Sequence, residues 1–129
     1  MPSLSTQQIQ HLTGLMDQRY AREMKEIGSV VARSRDEQRQ EIMAGRPSDM
    51  LDAALAEMTL AADYAVVRQD VQDVRDIIAA RRRLAAGTYG VCVDCSEDIG
   101  YARLEAYPTA KRCIGCQRAR EERSTRREG

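Results

Sequence analysis

The sequence predicts a mainly α fold: a long antiparallel coiled-coil hairpin, followed by a small cysteine-rich module and a C-terminal helix. Three observations predict it. Two long stretches in which apolar residues recur at steps of three and four are separated by a single Gly-Pro break. The 129 residues include no Phe, no Trp and only five Tyr, too few large aromatics for a thick globular core, and they are rich in helix formers such as Ala, Arg, Glu, Gln, Leu and Met. All four cysteines fall in one short stretch toward the C-terminus, where they can staple a module too small to bury much apolar surface.

Residues 1–87 are the helical region, with the hairpin tip at about 44–54, and residues 88–129 hold the cysteine module and the last helix. After a frayed start, Ser5 or Thr6 caps a helix from Gln7 to Met43, with Ile9, Leu12, Met16, Tyr20, Met24, Ile27 and Val31 on one stripe. Gly14 and Gly28 each cost about 1 kcal/mol relative to Ala inside a helix, so a break near Gly14 is an open alternative. His11, the only histidine, has no second ligand nearby and is read as a surface or partly buried side chain.

Gly45-Arg46-Pro47-Ser48 ends the first helix, and Ser48 or Asp49 caps the second, which runs to Ala86. Its stripe begins with Leu51, Leu55, Met58 and Ala62 and shifts to Tyr64, Val67, Val71, Val74 and Ile78. Arg81, Arg82 and Arg83 suit the negative end of the helix dipole, and Gly87 stops the helix. Two long helices joined by so short a turn lie antiparallel, with arms of roughly 50 Å. Within the cysteine module, Ala102 to Ala106 reads as a short strand. A third helix begins after Cys113 and frays from Ser124 onward.

Cys92 and Cys95 form one C-x2-C pair, Cys113 and Cys116 another, with seventeen residues between the pairs. Each pair can wrap a knuckle around one metal, and the intervening loop is long enough to bring the knuckles together. Gly90 and Gly115 are read as supplying backbone freedom for these turns. Four thiolates and no histidine make a closed site for one structural Zn2+, with no open position for a substrate. The competing readings are two disulfides or a redox dithiol. The N-terminal residues show no secretory signal and no apolar run is long enough to span a membrane, so a reducing, cytoplasmic setting is expected; a redox C-x-x-C belongs in a βαβ pattern that is missing here.

Lys plus Arg equals Asp plus Glu, which predicts no general attraction to nucleic acid or anionic membranes. Residues 88–117 carry four acids against three bases, and a four-thiolate zinc site adds about two negative charges more. The last helix interleaves its arginines with Glu121, Glu122 and Glu128, the pattern of a solvated face. No acid–base constellation or phosphate-binding glycine loop suggests an enzyme. Asp49 and Asp52 fit a helix N-terminus as a cap and a first-turn acid, but they also stand at the far end of a thin projection, a shape suited to another molecule's channel.

With the cysteines in this register, the chain resembles the DksA/TraR regulators of bacterial RNA polymerase. The module carries Y-G-V-C-x-x-C, D-I-G, R-L-E-A, P-T-A and C-I-x-C, the tip reads D-x-x-D-x-A at Asp49, Asp52 and Ala54, and Cys92 follows Asp52 by forty positions. The resemblance covers about Gly45 to Arg123; residues 1–43 match only as a helical arm, and most of the N-terminal extension of longer members has no counterpart. It implies a monomer that binds RNA polymerase rather than a DNA sequence. The hairpin would enter the secondary channel and alter promoter complexes, with Asp49 and Asp52 as effectors and Ala54 keeping the tip narrow. Aligned through the zinc motif, Asp76, Tyr107 and Gln117 stand where members responsive to the alarmone ppGpp carry basic residues, which implies little or no synergy with it. The rival readings are a nucleic-acid-binding zinc ribbon and a transcript-cleavage-type channel factor that holds Mg2+ on its acidic tip.

Overall fold

The structure, a computed structural model, describes residues 4–32, 51 and 61–128. Four helices lie among them: α1 (Thr6–Ala32), α2 (Ala61–Ala86), α3 (Tyr101–Ala106) and α4 (Ile114–Glu128). The β structure described is one isolated antiparallel bridge, between Val91 and Asp98. The predicted mainly α class holds. The tip turn, with Asp49, Asp52 and Ala54, lies outside the described residues.

α1 starts on a reciprocal cap. The Gln8 N–H donates to Ser5 Oγ at 3.1 Å, and the Ser5 N–H donates to Gln8 Oε1 at 2.9 Å, so two donors that the first turn cannot satisfy within the helix are paired. The helix runs unbroken through Gly14, which removes the alternative of a break there. Neighbouring turns of good helix formers outweigh one glycine's entropy. α2 ends on a Schellman turn. The Gly87 N–H donates to the Leu84 carbonyl and the Thr88 N–H to the Arg83 carbonyl, with Gly87 at φ +76°.

The chain divides into two compact units, residues Met1–Met16 with Ile78–Gly129, and residues Asp17–Ile77. In the first, Leu12, Met16, Ala80, Tyr89, Cys92, Leu104 and Ala110 are buried almost completely. In the second, Ile27, Leu51, Val67, Val71, Val74 and Ile77 are buried. The antiparallel sense of α1 and α2 in that unit is visible in their charged pairs: Glu23 interacts with Asp73 and Glu26 with Asp70, so numbers rise along one helix as they fall along the other.

Three details of the predicted helices change. Ile77, rather than Ile78, occupies the fully buried position after Val74, and Ile78 is half-buried. Met24 is also half-buried; the buried place beside it belongs to Glu23. α4 does not fray from Ser124 but continues to Glu128, with Thr125 Oγ1 donating to the Glu121 carbonyl at 3.0 Å.

A side-chain carbon added at Gly14 would meet nothing within 4 Å, and Gly14 sits inside a helix. Gly14→Ala is expected to raise stability by about 0.5–1 kcal/mol, through the lost entropy of glycine in the unfolded chain. Gly87→Ala is expected to lower it by about 1 kcal/mol, because the same substitution at a left-handed residue adds strain. Urea unfolding of the two variants checks both signs.

Candidate metal centre

The first knuckle is a tight hairpin. The Cys92 N–H donates to the Glu97 carbonyl at 2.8 Å, the Ser96 N–H to the Cys92 carbonyl at 3.0 Å, and the Ile99 N–H to the Gly90 carbonyl at 2.8 Å. Gly90, at φ +88°, takes a conformation that side chains disfavour, as the sequence led us to expect. Gly115 differs: it lies in the first turn of α4, without a positive φ, and an added carbon there would meet nothing within 4 Å. The second knuckle gets its shape from a helix start instead. The Cys116 N–H points at Cys113 Sγ across 3.4 Å, and the Gln117 N–H donates to the Cys113 carbonyl, so Cys113 stands at the cap position of α4.

The two knuckles are tied together by backbone and side chains. The Val93 N–H donates to the Lys111 carbonyl at 2.9 Å, and Arg112 Nε donates to Asp94 Oδ2 at 2.8 Å. Arg103 Nε donates to the Arg112 carbonyl at 3.0 Å. Behind them Tyr89 donates its buried hydroxyl to the Pro108 carbonyl at 2.8 Å; burial pushes this phenol up to about 12, only partly offset by Arg83, so it stays a donor. Segment 102–106, expected to be a strand, is part of helix α3. Among the described residues it has no partner strand; Leu104 is its one buried side chain, and Tyr101 Oη donates to Glu105 Oε2 at 2.9 Å one turn on. His11, half-exposed, lies 3.6 Å from Glu105 Oε2.

These supports bring all four predicted sulfurs together: Cys92, Cys95, Cys113 and Cys116 lie within 4.8 Å of one another, and Cys95 and Cys113 are 3.8 Å apart. All four are free thiols rather than disulfides. A tetrahedron with Zn–S bonds of about 2.3 Å has edges of about 3.8 Å, so the donor set fits one Zn2+. Its electrostatics favour a cation. Burial pushes the Cys92 thiol up, but backbone N–H groups of Cys113, Cys95 and Asp94 bring it down to about 6. Cys116, crowded by the sulfurs of Cys113, Cys95 and Cys92, is pushed up to about 12. Four thiolates at this spacing need a central positive charge to coexist.

Set beside known proteins, residues 87–122 match the family described as "Prokaryotic dksA/traR C4-type zinc finger". Residues 87–122 are thus similar to a zinc finger of that type. It is 36% identical over 76 residues, 59% of this chain and 54% of the other, to the "RNA polymerase-binding transcription factor DksA" of Caulobacter vibrioides, and so spans about half that relative's length. The similarly named protein of Haemophilus influenzae is 28% identical over 114 residues, which cover 88% of this chain and 74% of that one. The structure of transcription factor DksA2 from Pseudomonas aeruginosa is matched over 88% of this chain and 98% of that one, at 25% identity and a TM-score of 0.44. The cofactor is one structural zinc ion.

Purified protein is expected to carry one Zn2+ per chain, released as acid protonates the sulfurs, because metal and proton compete for the same thiolates. Dye titration of zinc in parent protein and in Cys113→Ser, paired with thermal melts, tests this. A metal-free chain with an unchanged melting temperature would refute a structural role.

Proposed function

We propose that this protein is a transcription regulator that binds bacterial RNA polymerase directly, inserting the hairpin tip into the secondary channel to modulate promoter complexes. One observation carries the proposal: the four-cysteine module matches the dksA/traR zinc finger, and the relatives of Caulobacter vibrioides and Haemophilus influenzae are named for polymerase binding. Cys92, Cys95, Cys113 and Cys116 are the proposed zinc ligands. Bound zinc would cross-link the two knuckles. The protein's own groups do the rest: Arg112 and Asp94 hold the knuckles at a fixed spacing, and Tyr89 anchors the Pro108 turn. No helix of the described residues is long and apolar enough to cross a membrane.

Asp49 and Asp52 are the proposed effectors and Ala54 the residue that keeps the tip slim. Asp52→Asn, with Asp49→Asn as a weaker partner, is expected to abolish regulation in run-off transcription from an rRNA promoter while leaving polymerase capture in a pull-down intact. Loss of a cap costs about 1 kcal/mol, too little to unfold the hairpin. Variants that regulate like the parent would reduce both carboxylates to helix caps.

Little or no synergy with ppGpp is part of the same proposal. Gln117 Nε2 donates to Glu121 Oε1 at 2.9 Å, Asp76 Oδ1 accepts from Gln72 Nε2 at 2.9 Å, and Tyr107 is exposed; none of the three supplies a cation for phosphate. Transcription with and without the alarmone is expected to differ little, and a several-fold enhancement that needs residues 88–129 would overturn this point.

A further inference from the structure

The unit formed by Asp17–Ile77 contains a carboxyl group that neither the zinc centre nor the proposed tip chemistry uses. Glu23 of α1 is only 7% exposed, and its Oε2 is buried with no hydrogen-bond partner. The charged groups that act on it come from both helices. On α2, Asp73 shares a hydrogen bond with it and Asp70 adds negative charge; on α1, Arg19 offers partial compensation. Asp70 in turn faces Glu26 and Arg22 of α1. Asp73 has one oxygen engaged by Gln69 Nε2 at 3.2 Å, which fixes its carboxyl.

The only cluster of three or more ligating groups close enough to share a metal, among the described residues, is the four cysteines. These acids therefore do not form a cation cage. What they can hold is a proton. Glu23, buried and hydrogen-bonded to the half-exposed Asp73, is disfavoured as an anion, since a buried carboxylate with an unpaired oxygen is costlier than a neutral acid.

We propose that Glu23 and Asp73 share one proton between α1 and α2, and that this proton is a ligand of the helix pair, closing it near and below neutral pH and loosening it when lost. The proposal rests on the geometry of the helix pair and stands apart from the polymerase reading. Burial first, then the bond to Asp73, raises Glu23 from 4.5 to about 7. The sign follows. An acid raised on folding binds its proton more tightly in the folded state, so its protonation supports the fold fully below about 4.5; that support is lost as pH rises toward 7. Between pH 6 and 8 the folding equilibrium constant should fall roughly tenfold from this pair alone.

The test uses the full zinc-loaded chain. Urea unfolding at pH 6, 7 and 8 is compared for the parent and Glu23→Gln, a neutral isostere that cannot ionise; the cysteines and His11 are common to both, so the difference isolates the pair. The parent is expected to lose about tenfold relative to Glu23→Gln across this range. Carboxyl-carbon NMR of the parent should place the Glu23 titration near 7, and Asp73→Asn should lower it only in part, because burial, the largest cause, remains. Equal pH slopes for parent and Glu23→Gln would overturn the proposal. So would a Glu23 titration below 5 in the parent, should the Gln variant fail to fold. Recovery of the parent's stability at pH 8 by millimolar Mg2+ or Ca2+, absent in Glu23→Gln, would also overturn it, showing that the acids answer a cation instead.

Discussion

Four sulfur atoms within 4.8 Å of one another are the constraint on which residues 88–129 depend. Thiolates at that distance repel, and the module buries few large side chains: Tyr89, Ile99 and Leu104 are the largest of them. A fold this lean cannot hold such charges together by packing. A zinc ion held by Cys92, Cys95, Cys113 and Cys116 would resolve the conflict, replacing the repulsion by coordination and turning binding free energy into folding free energy. The hydrogen bonds around it then act on orientation. The Arg112–Asp94 pair is partly shielded and joins the approach to the second knuckle directly to the first, so it does more for geometry than an exposed surface pair would.

The unit formed by Asp17–Ile77 follows a different logic. Its seam is made of Val67, Val71, Val74 and Ile77, side chains similar enough that a sliding helix would lose little by re-pairing them. The buried acid changes that. A slide of one heptad would set Val66 or Ala80 where Asp73 now meets Glu23, leaving a buried carboxyl with no group to share its proton. Polar positions inside otherwise apolar seams select register in this way, at a cost in stability.

The cysteine site was readable from sequence because metal geometry constrains spacing directly: two C-x2-C pairs at this separation leave few structural solutions. The helices were readable from periodicity, and the stops at Ser5 and Gly87 from capping chemistry. Periodicity failed where it counts only apolar residues. Position 23 is seven beyond Met16 and four before Ile27, so a heptad count lands on it, but a glutamate there reads as surface. The short α3 reads as a strand from sequence because six residues carry too little period to decide. The signal available was chemical: Leu104 among Ala, Arg and Glu, with Tyr101 and Glu105 four apart. Gly115 was credited with a turn that a helix start supplies.

The charge of the zinc module bears on what kind of surface it can meet. Lys111 and Arg112 follow each other, yet Arg112 is committed to Asp94 and Lys111 stands in a stretch whose acids outnumber its bases even before four thiolates are counted. Phosphate backbones reward unpaired cations that can displace counterions. Arg103 is likewise engaged, with its Nε on the Arg112 carbonyl, and Arg83 reaches the Thr109 carbonyl. Arg103 and Arg83 thus hold backbone carbonyls near the metal site, and Arg112 a carboxylate of the first knuckle. What remains outward on residues 88–129 includes the apolar Val93, Tyr107 and Ile114 together with the mixed charges of α4.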